Sequence, residues 1–477
     1  MEIESTALFQ EIKAIIDDGP KPVNYYYKCY FLIDDKKYEP LKIIDVFHKR
    51  NYVEARGDER FITLAIPMGL WSKIIYPKLN ILDITLVKIP IYEIDDKENQ
   101  EEEIEEIRYT AIPVPDSIPN LTGDNLQRFS IAALDTMDFF EVTFQLVDKG
   151  LEALKMVTVG SVFRRCKTED VVKGILAKER SKAKTITGKA VETIDMVDGD
   201  NDDEIEHVLI PQGLPYLDVP FYVQQQCNGV YNAGMNIYYQ NKGLFVYPPF
   251  DTTRYDSADL KATILKVPKY SYSYLERTYR QEGDIVYIIG TSDSSFEDKS
   301  FINSRNRGDG IRFGDARFIM RDELLETKDN KTKIVRKDVN QEFVSKDKSD
   351  QPDYRQQLYV PLSKEHMNAN PFVQRSRLAH INGAMYQIDW QNSNPDVLIP
   401  GMMVKIIYMS KHEFRELYGV LTHVVTNTQL SGQGLNYTRH ITNSSLFIFS
   451  TMLTEQEQEF DEIDESVITA WENYEMG

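Results

Sequence analysis

Seven histidines, three cysteines and 75 Asp plus Glu are the chemical raw material of this 477-residue chain, and their spacing decides what they could do. His412 opens HEFRE, which follows a zinc-protease helix only as far as Glu416, where the second histidine ligand belongs. His366, His380, His423 and His440 gather in the last third without the i, i+4 spacing that puts two ligands on one helix face. Asp198, Asp200 and Asp202 begin like a calcium loop, but Asp203 stands where a glycine is needed and Leu209 where a bidentate Glu is needed. TGKA, Thr187 to Ala190, lacks the upstream glycine and the Ser/Thr of a phosphate-cradling loop. Cys29, Cys166 and Cys227 lie far apart with no CxxC pair, so neither a disulfide framework nor a zinc knuckle is supported, and a reducing compartment is expected. No GxSxG occurs, and carboxylate pairs suited to glycoside cleavage are too common in so acidic a chain to be diagnostic. No catalytic residue, metal ligand or cofactor is therefore expected.

KVPKYSYSYLERTYR, Lys266 to Arg280, interleaves cations with aromatics as a base-stacking surface does. The formal charge of the chain is -20, however, the wrong sign for a broad grip on phosphate. The 28 tyrosines favour strand and interface positions in lasting protein contacts.

The elements that would position these residues are mostly strands. NYYYKCYFLI, RFITLAI, ILDITLVKIPIYEI and FFEVTFQLVD are aromatic and β-branched runs, and in the last Phe140, Val142, Phe144 and Leu146 alternate with Glu141, Thr143 and Gln145. Between them the acidic run Asp95 to Glu106 reads as a solvated hairpin loop. Strands resume at GDIVYIIG, QQLYVPL, AMYQIDW, PGMMVKIIYMS, LYGVLTHVVTNTQ and SLFIFST. Helical spacing marks Leu8, Phe9, Ile12, Ile15 and Ile16 behind Ser5 or Thr6 as N-cap, and Val171, Val172, Ile175 and Leu176 behind Thr168. Near the end Thr454 and Glu457 form a capping box ahead of Phe460, Ile463, Val467, Ile468 and Trp471. That stripe must dock, either on this chain's own barrel or on a partner.

The N-terminus carries acids where a signal peptide carries bases, and no run of about 18 apolar residues occurs, so a chain without a membrane anchor is expected. Its length calls for several domains. The expected fold class is mainly β with an α+β middle: two β-barrel domains, an inserted mixed domain and short terminal helices. The expected boundaries are a helix in 1–24, a first barrel in 25–165, a mixed domain in 166–260, and a second barrel in 261–290 and 354–451. A polar insertion fills 291–353, and an acidic amphipathic helix fills 454–477.

The passage VLIPQGLPYLDVPFYVQQQCNGVYNAGMNIYYQNKGLFVYPPFD resembles the middle of the baseplate central hub proteins of contractile-tailed bacteriophages. Those proteins carry a helix, a GVY..G hairpin and a VYP.FD strand, here Gly229, Val230, Tyr231 and Gly234, then Val246, Tyr247, Pro248, Phe250 and Asp251. RGDGIRFGDAR (Arg307 to Arg317), PGMMVKIIYM and LYGVLTHV are similar to later hub segments, so the resemblance spans roughly 168–450. It implies a non-enzymatic virion structural protein of the tail or baseplate, assembled in the host cytoplasm: a homotrimer with two β-barrel tube domains per chain. Such a ring adapts a sixfold tail tube protein to a threefold central spike protein, contacts other baseplate (wedge) proteins, and lets DNA pass through its lumen. Type VI secretion spike proteins share this architecture in their N-terminal part but continue into a spike β-helix. The alternatives are a baseplate-associated cell-wall-degrading enzyme and the base of a secretion-system spike. Phe460, Ile463, Val467 and Trp471 are the candidate partner-docking residues.

Overall fold

The computed structural model describes residues 2–20, 24–91, 105–115, 139–185, 188–268, 275–291, 323–328, 331–336, 342–344, 372, 376, 379–380, 383–410, 413–430 and 440–451, which are mainly β. The chain forms two compact units, Met1–Ser295 with Pro371–Gly477, and Phe296–Asn370.

The first unit opens with a helix, Glu2–Asp18, which starts ahead of Ser5 and Thr6, so neither is its N-cap. Its buried Ile15 packs on Leu265 and Ile289. Seven strands follow: Asn24–Ile33 (β1), Lys36–Tyr38 (β2), Lys42–Asn51 (β3), Glu59–Pro67 (β4), Asp83–Ile91 (β5), Glu105–Pro113 (β6) and Phe139–Asp148 (β7). Glu105 and Glu106, expected in a loop, begin β6, and most of the acidic run before them lies outside the described residues. Asp34 and Asp35 both take positive φ, the signature of the tight mirror-image turn that joins β1 to β2. The antiparallel order is β3-β4-β7-β6-β5-β1. Alternation buries Phe31 and Ile33, Ile62, Leu64 and Ile66, and Val142, Phe144 and Leu146 in one core. Met68, Trp71 and Ile75, from the helical turns after β4, seal one end of it.

The middle of the unit contributes Thr158–Lys167 (β8), Lys184–Thr185 (β9), Gly188–Lys189 (β10), Thr193–Met196 (β11), Glu204–Pro215 (β12), Asn236–Gln240 (β13) and Gly243–Tyr247 (β14). Its helices are Thr168–Glu179 and Val219–Gln226, the latter opened by Pro220. Thr168 is not the cap. Its hydroxyl is buried and donates to the Gly229 carbonyl at 2.6 Å, so the cap falls to Lys167 without a side-chain bond. The hairpin β13–β14 turns at Asn241 and Lys242, both at positive φ.

The remaining strands of the first unit are Lys261–Lys266 (β15), Tyr279–Glu282 (β16) and Ile285–Gly290 (β17), then Gly383–Trp390, Met403–Ser410, Glu413–Leu430 and His440–Thr451. The second unit, described by itself, holds an antiparallel sheet of Glu323–Lys328 (β18), Lys331–Arg336 (β19) and Glu342–Val344 (β20). The four later strands are accordingly β21 to β24.

One 14-stranded sheet runs through both β regions of the first unit. The long strand β23 makes this possible. Its first half pairs with β22 and its second half with β3, from Asp45 opposite Gln429 to Asn51 opposite His423, while its other edge pairs with β24. The changeover falls at an irregularity between Leu421 and His423, where the Tyr52 amide donates to the Thr422 carbonyl at 2.8 Å. Two circuits of pairing share the β23–β24 ladder. One runs β23-β3-β4-β7-β6-β5-β1-β24 and returns through the single pair Tyr25 and His440. The other runs β23-β22-β15-β17 to β21 and β24, linked by the single bridge between Thr291 and Asp389. Neither is closed by a continuous ladder.

Gly401 and Gly283 both sit at positive φ, but a Cβ on Gly401 would lie 2.4 Å from the buried Tyr247 ring, whereas one on Gly283 meets nothing within 4 Å. Gly283→Ala is expected to cost about 1 kcal/mol from backbone strain alone, and Gly401→Ala about 3 kcal/mol because strain and overpacking combine. Urea unfolding midpoints of the two variants check the difference.

Candidate functional site

The inner face of β3 changes character along its length: Val46 belongs to the apolar core, and the next two inward residues are His48 and Arg50. At this end the first β region is closed by polar groups around a cavity of about 220 Å³. Leu86 and Lys88 of β5, Tyr109 of β6, Thr426 and Thr428 of β23, Gln240 and Asn241 of the middle hairpin, and Asn394 to Asp396 are among its walls.

Asp58, just before β4, is the centre of the network. Its carboxylate accepts from His48 Nε2 at 2.7 Å and from the Tyr238 hydroxyl at 2.8 Å, with Arg50 Nε at 3.7 Å and Arg60 Nη2 at 3.9 Å. The bond to His48 places the ring proton on Nε2. Arg50, 2% exposed, reaches the other way, donating from Nη1 to the Pro395 carbonyl at 2.6 Å and from Nη2 to Asp396 at 3.4 Å. Lys88 takes the second Asp396 oxygen at 2.5 Å, and Arg60 donates to the Tyr109 hydroxyl. Beside them the Tyr52 hydroxyl donates to Gln240 at 3.2 Å, Gln240 donates to the Leu398 carbonyl at 2.9 Å, and the Tyr247 hydroxyl donates to the Tyr52 carbonyl at 2.6 Å. The Tyr52 and Tyr238 rings meet edge to face, centroids 4.8 Å apart. First β region, middle hairpin and second β region are thus joined by one buried polar seam.

The electrostatics hold Asp58, Asp396, His48, Tyr52 and Tyr238 each in one protonation state at neutral pH. Burial opposes a charge on Asp58, but His48, Arg50 and Arg60 outweigh it and hold the carboxyl well below the usual range. Asp396 is lowered in the same way, by Lys88 and Arg50 against burial. His48 is pushed down to about 4, first by burial and then by Arg60, so it is neutral. Burial drives the Tyr52 and Tyr238 hydroxyls upward. A glycosidase acid requires a carboxyl raised toward neutrality, and these two carboxyls move the opposite way. The carboxyls that burial does raise, Asp45 and Asp195, do not line the cavity. The arrangement fixes the relative position of the groups that form it.

The other residues singled out by spacing are dispersed. Asp198 and Asp202 face Lys173 and Lys167, and Asp200 accepts from the Asn232 amide, three separate partners. Among the described residues no group of three His, Cys, Asp or Glu could hold a metal ion. The three cysteines are free, with Cys29 buried. His380 packs on Phe250, His423 on Phe447 and His440 on Tyr27. Of the family-like passage, Val230, Tyr231, Val246 and Tyr247 are buried, Gly229 and Gly234 take positive φ, and Phe250 packs edge-on to Phe449. Phe460, Ile463, Val467 and Trp471, with the whole of 454–477, lie outside the described residues, as does Arg307 to Arg317. The seam itself went unnoticed in the sequence, although FHKRN carried a signal: two ionisable residues at alternate, inward positions of a strand.

The unfolded chain protonates His48 near 6.5, whereas the folded chain resists until about 4. Its contribution therefore disfavours folding progressively as pH falls from about 6.5 to about 4, by about 3 kcal/mol in all. His48→Gln should flatten the stability profile across that window by one proton's worth of slope. Asp58→Asn, which removes the more buried of Arg50's two counter-charges and the acceptor of His48 and Tyr238, should cost about 3 kcal/mol at pH 7. Urea titrations at stepped pH values check both.

No family model and no curated protein matches the chain. Among solved structures it is similar to a tail protein from Neisseria meningitidis MC58, with 12% identity and a TM-score of 0.40 over 89% of this chain and 96% of that one. It is also similar to the 43 kDa tail protein of prophage MuSo2 from Shewanella oneidensis, with 9% identity and a TM-score of 0.42 over 88% and 96%. A third is an Escherichia coli component of the type VI secretion system, itself described as similar to T4 bacteriophage tail proteins, with 8% identity and a TM-score of 0.33 over 92% and 75%.

Proposed function

We propose that this chain is a structural, non-enzymatic component of a phage tail, the central hub of a baseplate. Three copies form a ring in which each contributes two barrel-like β modules, so that six modules meet a sixfold tail tube on one side and a threefold spike on the other. The modules are residues 25–165, and residues 261–290 with 354–451; residues 166–260 form the mixed domain between them and 291–353 the insertion. The observation that carries the reading is the pair of strand circuits sharing the β23–β24 ladder. Two β modules on one chain can stand for two positions of a ring only if their mutual rotation is fixed. The shared ladder and the Arg50 seam supply that constraint. The sequence resemblance supplies the identity of the ring.

The formal charge of -20 suits a conduit through which DNA slides, because carboxylates facing the lumen repel the phosphate backbone. The C-terminal stripe of Phe460, Ile463, Val467 and Trp471 is a docking element. A cell-wall-degrading activity would need a proton-donating carboxyl in a cleft, and the charged seam offers no such group.

The purified full chain should have a solution mass three times 55.3 kDa, and electron microscopy should show a ring with an axial hole and six similar densities around it. A monomer, or copies that enclose no channel, would overturn the proposal. Release of soluble fragments from purified cell wall by the same preparation would favour the enzyme.

A further inference from the structure

Two strands of the middle region stand apart from every larger sheet. β8 and β12 pair only with each other, and among the described residues no third strand takes either outer edge. Their inner face is used: Val159, Val208 and Ile210 are buried in the same core as Val171 and Val172 of the helix that follows β8. Their outer face is apolar and exposed. Val162 and Leu209 are direct cross-strand partners, each 61% exposed, and Met156 just before β8 is 82% exposed.

The charge on this ribbon is divided between its strands. β8 ends in Arg164, Arg165 and Lys167 and contains no acid, while β12 begins with the exposed Glu204 and Glu206, Glu204 standing opposite Lys167. Lys167 is neutralised by Asp202 at 2.7 Å, but among the described residues no acid forms an ion pair with Arg164 or Arg165, both of them exposed. A cover fitting the β8 side would place acids over Arg164 and Arg165, with an apolar stripe about as long as the ribbon over Val162 and Leu209.

Such a segment lies in the same chain. Residues 454–477 contain nine Asp plus Glu, no Lys or Arg, and the stripe Phe460, Ile463, Val467, Trp471. As a helix these residues would span about 36 Å, and a ten-residue strand spans about 33 Å. The tail also starts at the right place. Thr451, the last described residue, is bonded to Thr252 at 2.7 Å, and nearby Phe250 donates to the Ala233 carbonyl at 3.1 Å. Asn232 then donates to Asp200 at 2.8 Å, two residues from Asp202, the partner of Lys167. This run of contacts leads from the root of the tail to the basic end of β8.

We infer that the acidic segment 454–477 docks on the β8–β12 ribbon of its own chain, its stripe covering Val162 and Leu209 and its carboxylates facing Arg164 and Arg165. The inference concerns one copy and stands whether or not copies form a ring.

The test compares the full chain with a chain ending at Leu453. Hydrogen exchange at β8 and β12 amides should be slower in the full chain, at every protein concentration, and should rise on truncation while the rest of the sheet is unchanged. A synthetic peptide of residues 454–477 should bind the truncated chain in a salt-sensitive manner and restore protection. It should fail on the full chain, whose seat is occupied, and on truncated R164E/R165E, whose exposed substitutions leave the melting temperature in place. Equal exchange with and without the tail, or peptide binding indifferent to the charge reversal, would overturn the inference. Protection lost on dilution would overturn it in favour of the tail of a second copy.

Discussion

A guanidinium withdrawn from water must find its counter-charges where it is, and Arg50 finds them in two different β regions. Asp58 belongs to the first β region and Asp396 to the second, and the Pro395 carbonyl accepts the shortest of Arg50's bonds. Burying this charge is costly, and replacing such a group with apolar residues is often tolerated or even favourable to stability. What the charge imposes is geometry. An apolar seam slides at little cost, whereas a bonded guanidinium, two carboxylates and two tyrosine hydroxyls accept one arrangement of the parts.

The backbone imposes the same arrangement independently. β23 is long enough to leave β22 and continue along β3, so the two regions share a ladder in a register that cannot slip by one residue without turning Thr426 and Thr428 out of the cavity wall. Tyr52 ties the two devices together. Its amide bonds to β23 at the changeover, its carbonyl accepts from Tyr247 of the middle hairpin, and its hydroxyl reaches Gln240, which in turn holds the Leu398 carbonyl.

Strands with one wet face were readable as such. β7 shows Val142, Phe144 and Leu146 buried, with Glu141 exposed and Thr143 and Gln145 only partly covered, as alternation requires. β1, β5 and β21 to β24 were legible instead as runs of aromatic and β-branched residues. β3 escaped because its inward residues turn from Val46 to His48 and Arg50, which breaks the apolar pattern that identifies a strand. Nor could any local window reveal the site: Arg50 and Pro395 are 345 positions apart. Thr168 failed as a cap for a related reason. A long-range partner, the Gly229 carbonyl, outbid the local backbone amides for its hydroxyl.

The two kinds of polar surface in this chain meet water differently. In the seam, Arg50, His48 and Asp58 are withdrawn from water and mutually satisfied, which shields them from salt, and His48 stays neutral down to about 4. On the β8–β12 ribbon, charges stand in water. Arg164 and Arg165 beside exposed Val162 and Leu209 offer an attraction that salt screens and a competitor can displace.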